Sequence, residues 1–253
     1  MVCLSAFATP ASANEGLAKS GFSDSSFVSH GRKIRVEWFD AVNNSKNTEN
    51  IENTKNTATE TSTATLPVII ILPGSGGIEP TGGFYRDLAK SIADAGTSGV
   101  IVHYLDRSNL ESADSPQMSE HFSEWLATIN DAVLYVCKQP HIDQKHVSVL
   151  GHSLGAQLAL HVAATQPKIC SVVDLAGCFV LSTRIITHMP PVLILHGGAD
   201  RTVPLRRERA LVAVLKGTNS RYLEHIFPRG DHAFNNVDYS QMVKLIVDWL
   251  HAL

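Results

Sequence analysis

Cysteine is scarce. The 253 residues hold four, Cys3, Cys137, Cys170 and Cys178, and their spacing fits no metal site. No carboxylate–histidine cluster has ligand spacing either, so neither a metal nor another cofactor is expected. Cys137 and Cys170 sit in apolar stretches and read as buried thiols. Whether Cys170 and Cys178 pair is left open. Charge is thin as well: 18% of residues are charged and the net charge is −3. Nothing in that balance points to nucleic acid or an anionic membrane surface. No apolar run reaches the roughly 18 residues of a membrane span. The apolar Val2–Ala8 is followed by Ala11-Ser12-Ala13, which looks like a small-residue cleavage site. The basic start of an export signal is missing. Residues 1–26 therefore read as an N-terminal segment, either the remnant of a truncated signal peptide or a plain start. The first implies a periplasmic or secreted protein, the second a cytoplasmic one.

Residues 27–253 suit a single domain with one large core. Residues 43–65 interrupt it. Ile51 is the only large apolar side chain in that Asn/Thr/Ser/Glu tract, which cannot repay its ordering entropy by burial. It reads as a flexible surface insertion. Elsewhere short apolar runs alternate with segments of helical periodicity. Strands are expected within 27–39, with a turn at His30-Gly31-Arg32, and at 66–72, 100–105, 147–150, 168–175, 191–196 and 221–227. Helices are expected at 84–95, 119–138, 154–165, 205–215 and 239–250. Residues 106–119 read as a polar loop, and Arg206-Arg207-Glu208-Arg209 as a solvated helix start. Continuous apolar strands alternating with helices make an α/β fold with a mostly parallel sheet covered on both faces. Its active-site edge lies at the carboxyl ends of the strands.

Gly151-His152-Ser153-Leu154-Gly155 follows the apolar Val147–Leu150 and opens a helical segment. This places a serine hydroxyl on a tight strand-to-helix turn, as a nucleophile requires. The serine needs a base, and the base needs an orienting acid. Asp200 follows the strand ending near His196, and His232 follows the strand ending at Phe227, so both lie at the correct edge. Asp174, after the strand next to the elbow, and Asp231, beside His232, compete for the acid's role. His152 reads as local support rather than as the base. An oxyanion needs fixed donors. The Leu154 amide is one, and Pro73-Gly74-Ser75-Gly76-Gly77 offers the other, Ser75 first and Gly76 second. No Gly-Lys-Ser/Thr ending makes that loop a nucleotide cradle. Tyr104, Arg107, Trp125 and Phe234 are substrate-pocket candidates, with His103, Asp106, His121 and Met118 nearby. Arg107 is placed either on a substrate carboxylate or in a loop network with Asp106.

With these motifs the chain resembles the alpha/beta-hydrolase superfamily over residues 27–253, the insertion excepted. Phe84-Tyr85-Arg86-Asp87-Leu88-Ala89, Tyr104-Leu105-Asp106-Arg107 and the spacing to Asp200 are similar to its dienelactone-hydrolase-like branch. The resemblance implies a three-layer α/β/α sandwich and the hydrolysis of esters, sometimes amides or peptides. Two departures stand out. Dienelactone hydrolases use a cysteine where this chain has Ser153, and their usual His-Gly at the oxyanion loop is Pro73-Gly74 here. The expected function is a serine hydrolase of small or medium carboxylic esters acting through an acyl-enzyme. A serine peptidase or amidase of the same fold and a non-catalytic binding protein on a hydrolase scaffold are the alternatives. The expected partner is a small-molecule ester. Oligomeric state is left open.

Overall fold

A computed structural model describes residues 22–42, 65–78, 82–178 and 186–253. The leader-like 1–13 and all of the 43–65 tract except Thr65 lie outside them. Eight strands form one sheet: β1 (Phe22–Ser29), β2 (Arg32–Phe39), β3 (Leu66–Leu72), β4 (Ser98–Val102), β5 (Ile142–His152), β6 (Ile169–Leu175), β7 (Val192–Gly197) and β8 (Tyr222–Phe227). Their spatial order is β1-β2-β4-β3-β5-β6-β7-β8. β2 runs antiparallel to both β1 and β4, and every later pairing is parallel. The helices are α1 (Gly82–Asp94), α2 (Ser115–Cys137), α3 (Leu154–Ala163), α4 (Glu208–Gly217) and α5 (Tyr239–His251).

Strand alternation sorts the core into two layers. Val68, Ile70 and Leu72 of β3 pack toward α2, α3 and α4, through Ile129, Leu158 and Leu211 among others. Ile69 and Ile71 face α1 and α5, through Leu88, Ile92 and Ile246. The central strands are buried on both sides, which is why they read as unbroken apolar runs. The result is the expected α/β/α sandwich. No helix among the described residues is long and apolar enough to cross a membrane.

Several elements depart from the expected limits. β1 begins at Phe22, inside the segment expected to precede the domain, and pairs with β2 along its whole length. β5 starts at Ile142 rather than Val147; its lead-in was concealed by the polar Asp143 and the exposed Gln144, Lys145 and His146. α2 starts at Ser115 rather than Ser119. The Asp114 side chain accepts the Gln117 N–H, and the Gln117 side chain accepts the Asp114 N–H. This reciprocal cap, with Pro116 in the first turn, is a helix-start signal present in the sequence. β4 stops at Val102 instead of reaching Leu105. Beyond it the Asp106 carboxylate accepts the Arg35 backbone N–H and two guanidinium N–H bonds, which draws Tyr104–Ser108 into a 3₁₀ turn.

Candidate active site

The turn between β5 and α3 carries Ser153 at φ 54°, ψ −113°, a left-handed conformation that a non-glycine residue adopts only under constraint from its surroundings. That constraint is close packing. A Cβ on Gly155 would fall on the Leu72 carbonyl oxygen, and one on Gly151 would strike the Gly155 carbonyl. The serine N–H bonds the Leu175 carbonyl at 2.9 Å, and its hydroxyl stands clear of its own helix.

Three expected residues meet there. Ser153 Oγ is 2.8 Å from His232 Nε2, and His232 Nδ1 is 2.8 Å from Asp200 Oδ2. Asp200 is buried beyond β7. Its other oxygen accepts the Thr202 and Val203 N–H groups, each at 2.8 Å. A carboxylate held in this way fixes the imidazole with Nδ1 protonated, leaving Nε2 to accept a proton from the hydroxyl.

The competing acids are engaged elsewhere. Asp174 is buried, and its Oδ1 accepts the Gly177 N–H at 2.8 Å. Burial lifts its carboxyl to about 7. Asp231 accepts the Ala233 and Asn235 N–H groups and the Asn235 side-chain amide, bracing the loop that presents His232.

The glycine turn lies against the elbow. The Gly77 N–H closes it onto the Gly74 carbonyl at 3.0 Å, and the Ala113 N–H bonds the Ser75 carbonyl at 2.7 Å. A Cβ on Gly74 would touch His152 and the Ser153 Cβ. The Ser75 and Gly76 amides belong to this turn. Leu154 opens α3, where the first amides lack an intrahelical acceptor.

Two tyrosines brace the turn. The Tyr104 hydroxyl donates to the Pro73 carbonyl at 2.8 Å, and Tyr85 Oη accepts the Gly74 N–H at 2.9 Å. They supply loop support that the Pro73 side chain, with no polar atom, cannot give.

The pocket candidates are not gathered around the serine. Tyr104 is 1% exposed and Trp125 fully buried. Their rings meet edge-on, and Trp125 donates to the Ser108 hydroxyl. Trp125 therefore has no surface to offer a ligand, whereas Tyr104 borders the cavity beside the glycine turn. Arg107 donates to the His30 carbonyl at the β1–β2 turn. Its expected network with Asp106 is replaced by the Arg35–Asp106 pair, which joins residues 71 apart. Phe234 is the exception: it lies edge-on to His152, beside His232. His121 pairs with Glu124 on α2, and Met118 packs at the core margin. A cavity of about 630 Å³ lies along the glycine turn on its β2–β4 side, lined in part by Pro73, Gly77, Glu37, Arg86 and His103. Burial opposes ionisation of Glu37, but hydrogen bonds from Arg86 and His103 prevail and hold its carboxyl at about 2.

Behind the acid lies His196, buried in β7. It donates through Nε2 to the Val203 carbonyl at 2.8 Å. Its Nδ1 is 3.4 Å from Glu208 Oε2, and both atoms are buried without a hydrogen-bond partner among the described residues. Glu208, expected to be solvated, is 3% exposed. Burial first, then the Glu224 and Asp174 carboxylates, lift it to about 8. The unfolded chain releases this proton near 4.5, the ordinary value of a glutamate carboxyl. Between there and about 8 the folded chain keeps a proton that the unfolded chain has lost, so stability falls as pH rises. Glu208→Gln is expected to leave the melting temperature near wild type at pH 5 and to raise it by several degrees at pH 8. Paired thermal melts check this, and an equal shift at both pH values would contradict it.

The three described cysteines are free thiols, so Cys170 and Cys178 are not joined. Cys137 is buried as expected, whereas Cys170 is only half-buried. No group of three or more metal-ligating side chains is present among the described residues.

A parallel sheet with a serine elbow, followed by an acid after β7 and a histidine after β8, defines the alpha/beta hydrolases. Residues 55–245 match the dienelactone hydrolase family, and the chain belongs to that family, which places it among hydrolases. No curated protein matches the sequence. Among solved structures, a Klebsiella pneumoniae protein provisionally assigned as a dienelactone hydrolase is 18% identical, with 93% of this chain and 100% of that one covered and a TM-score of 0.71. A dienelactone hydrolase-like promiscuous phosphotriesterase from metagenomic libraries is 14% identical over 93% and 99%, with a TM-score of 0.68. The Pyrococcus horikoshii acylaminoacyl peptidase is 14% identical over 93% of this chain and 42% of that one, with a TM-score of 0.70. At these identities the likeness is one of fold.

Proposed function

We propose that this chain is a serine hydrolase that cleaves carboxylic esters of small or medium size through an acyl-enzyme. The observation that carries the reading is the unbroken chain from Ser153 Oγ through His232 to Asp200, with both hydrogen bonds at 2.8 Å. His232 takes the serine proton as Ser153 attacks the ester carbonyl. The amides of Leu154 and of Ser75, with Gly76 beside it, hold the oxyanion. The imidazolium then protonates the departing alcohol. Water, activated by the same imidazole, attacks the acyl-enzyme and frees the acid and Ser153. Asp200 stays ionised throughout and stabilises the imidazolium. Because the nucleophile is serine rather than cysteine, the family's name does not transfer its substrate.

p-Nitrophenyl esters with acyl chains of two to twelve carbons test the reading. Turnover is expected on the short chains and should decline with length. Folded protein that hydrolyses none of them would remove the esterase assignment.

A further inference from the structure

His152 occupies the variable position of the elbow and takes no part in the proton transfer above. Its ring is nevertheless bonded at both nitrogens. Nε2 is 2.9 Å from the His232 carbonyl oxygen, and Nδ1 is 2.8 Å from the Tyr85 hydroxyl. Proton directions follow from chemistry alone. A carbonyl can only accept, so His152 Nε2 carries a proton. With the ring neutral, Nδ1 is an acceptor, and Tyr85 must donate to it. The tyrosine oxygen is then free to accept the Gly74 N–H at 2.9 Å. With this pattern every member satisfies its neighbour. Enclosure of the ring keeps it neutral, holding His152 at about 4. Tyr85 itself is buried.

This chain joins three segments that are remote in sequence. Gly74 belongs to the turn that carries the Ser75 and Gly76 amides. His152 precedes the nucleophile. The His232 carbonyl is the backbone of the base. No bond in it uses a functional atom of Ser153, His232 or Asp200. We propose that Tyr85 and His152 are positioning residues, a hydrogen-bond relay that holds the oxyanion turn and the base loop in register with the elbow. The inference rests on the serine-hydrolase reading. It adds that oxyanion donors and base are aligned by one device, so an error at either end reaches the other. A shift near 1 Å at such a site can cost about a hundredfold in rate.

The test is a double-mutant cycle of Tyr85→Phe and His152→Phe on p-nitrophenyl butyrate, with Ser153→Ala and thermal melts in parallel. Tyr85→Phe keeps the ring and strands both the Gly74 N–H and His152 Nδ1. A fall in kcat of about 10- to 100-fold is expected, with KM within about threefold of wild type. The double variant should be no worse than the poorer single one, because both break the same relay. Losses that multiply, or folded single variants with wild-type kcat, would overturn the relay while an inactive Ser153→Ala left the hydrolase reading standing. A Ser153→Ala enzyme as active as wild type would overturn both. If the variants do not fold, ¹⁵N histidine spectra of the wild-type protein decide. A neutral His152 protonated at Nε2 from about pH 5 to 8 is expected. The opposite tautomer, or titration in that window, would overturn the proposal without any appeal to activity.

Discussion

Ser153→Ala is expected to lower kcat/KM for short p-nitrophenyl esters by about 10⁴-fold or more, to near the background of the remaining site. The argument is local. The serine hydroxyl makes no cap bond to its own helix, and its bond to His232 is half-exposed. Its removal takes away the attacking atom and little else. Alanine inherits the same backbone strain at φ 54°, so the melting temperature should stay within a few degrees of wild type. His232→Ala should cost a comparable factor. The double variant should cost little more than either single one, because the two side chains act as a unit. A Ser153→Ala protein that retained a tenth of wild-type turnover would place the chemistry elsewhere.

Gly155→Ala is expected to abolish soluble folded protein, or to lower the melting temperature by more than about 10 °C. The added methyl group would meet the Leu72 carbonyl oxygen, with the Pro73 carbonyl beside it. Overpacking a core usually costs about 1–3 kcal/mol because side chains can yield. Here the obstacles are the backbone of β3 and the start of the glycine turn, pinned by pairing with β5 and by Tyr104 and Tyr85. The cost should therefore exceed that range, against a total stability of about 5–15 kcal/mol. Gly83→Ala is the control. Among the described residues nothing lies within 4 Å of its added Cβ, and helix propensity predicts no loss and a gain below about 1 kcal/mol in this first turn. Circular-dichroism melts of the three proteins decide the matter. A Gly155→Ala protein melting with wild type would show that helix and strand can separate without penalty.

How much of this was legible in the sequence depended on whether the signal was local. The elbow was, because strand, turn and helix are contiguous and each has its own pattern. Asp200 and His232 were legible at second hand: a parallel sheet places whatever follows β7 and β8 at the same edge as the elbow. The start of α2 was available in Asp114, Pro116 and Gln117, but the apolar periodicity that begins at Phe122 outweighed it.

Tyr85 was hidden. It falls three and four residues before Leu88 and Ala89 and reads as one more buried helix position, which it also is. Its hydroxyl gains a role only when β5 brings His152 to it, 67 residues away. Glu37 was not singled out in the sequence, yet it is 3% exposed and held by Arg86 and His103. Glu208 misled, since a run of basic neighbours implied solvent. Tyr104 follows β4 at the same sheet edge as the elbow and Trp125 lies on the next helix, but packing buries both rings. Polar contacts between distant segments leave no periodicity, and they are what sequence reading missed.

The central claim is that Ser153 is the nucleophile, activated by His232. Reaction with a fluorophosphonate followed by peptide mass mapping tests it most directly. One adduct per chain is expected, on the peptide bearing Ser153, absent in Ser153→Ala and strongly slowed in His232→Ala. An adduct on another residue, or an unmodified Ser153 in folded protein, would contradict the account.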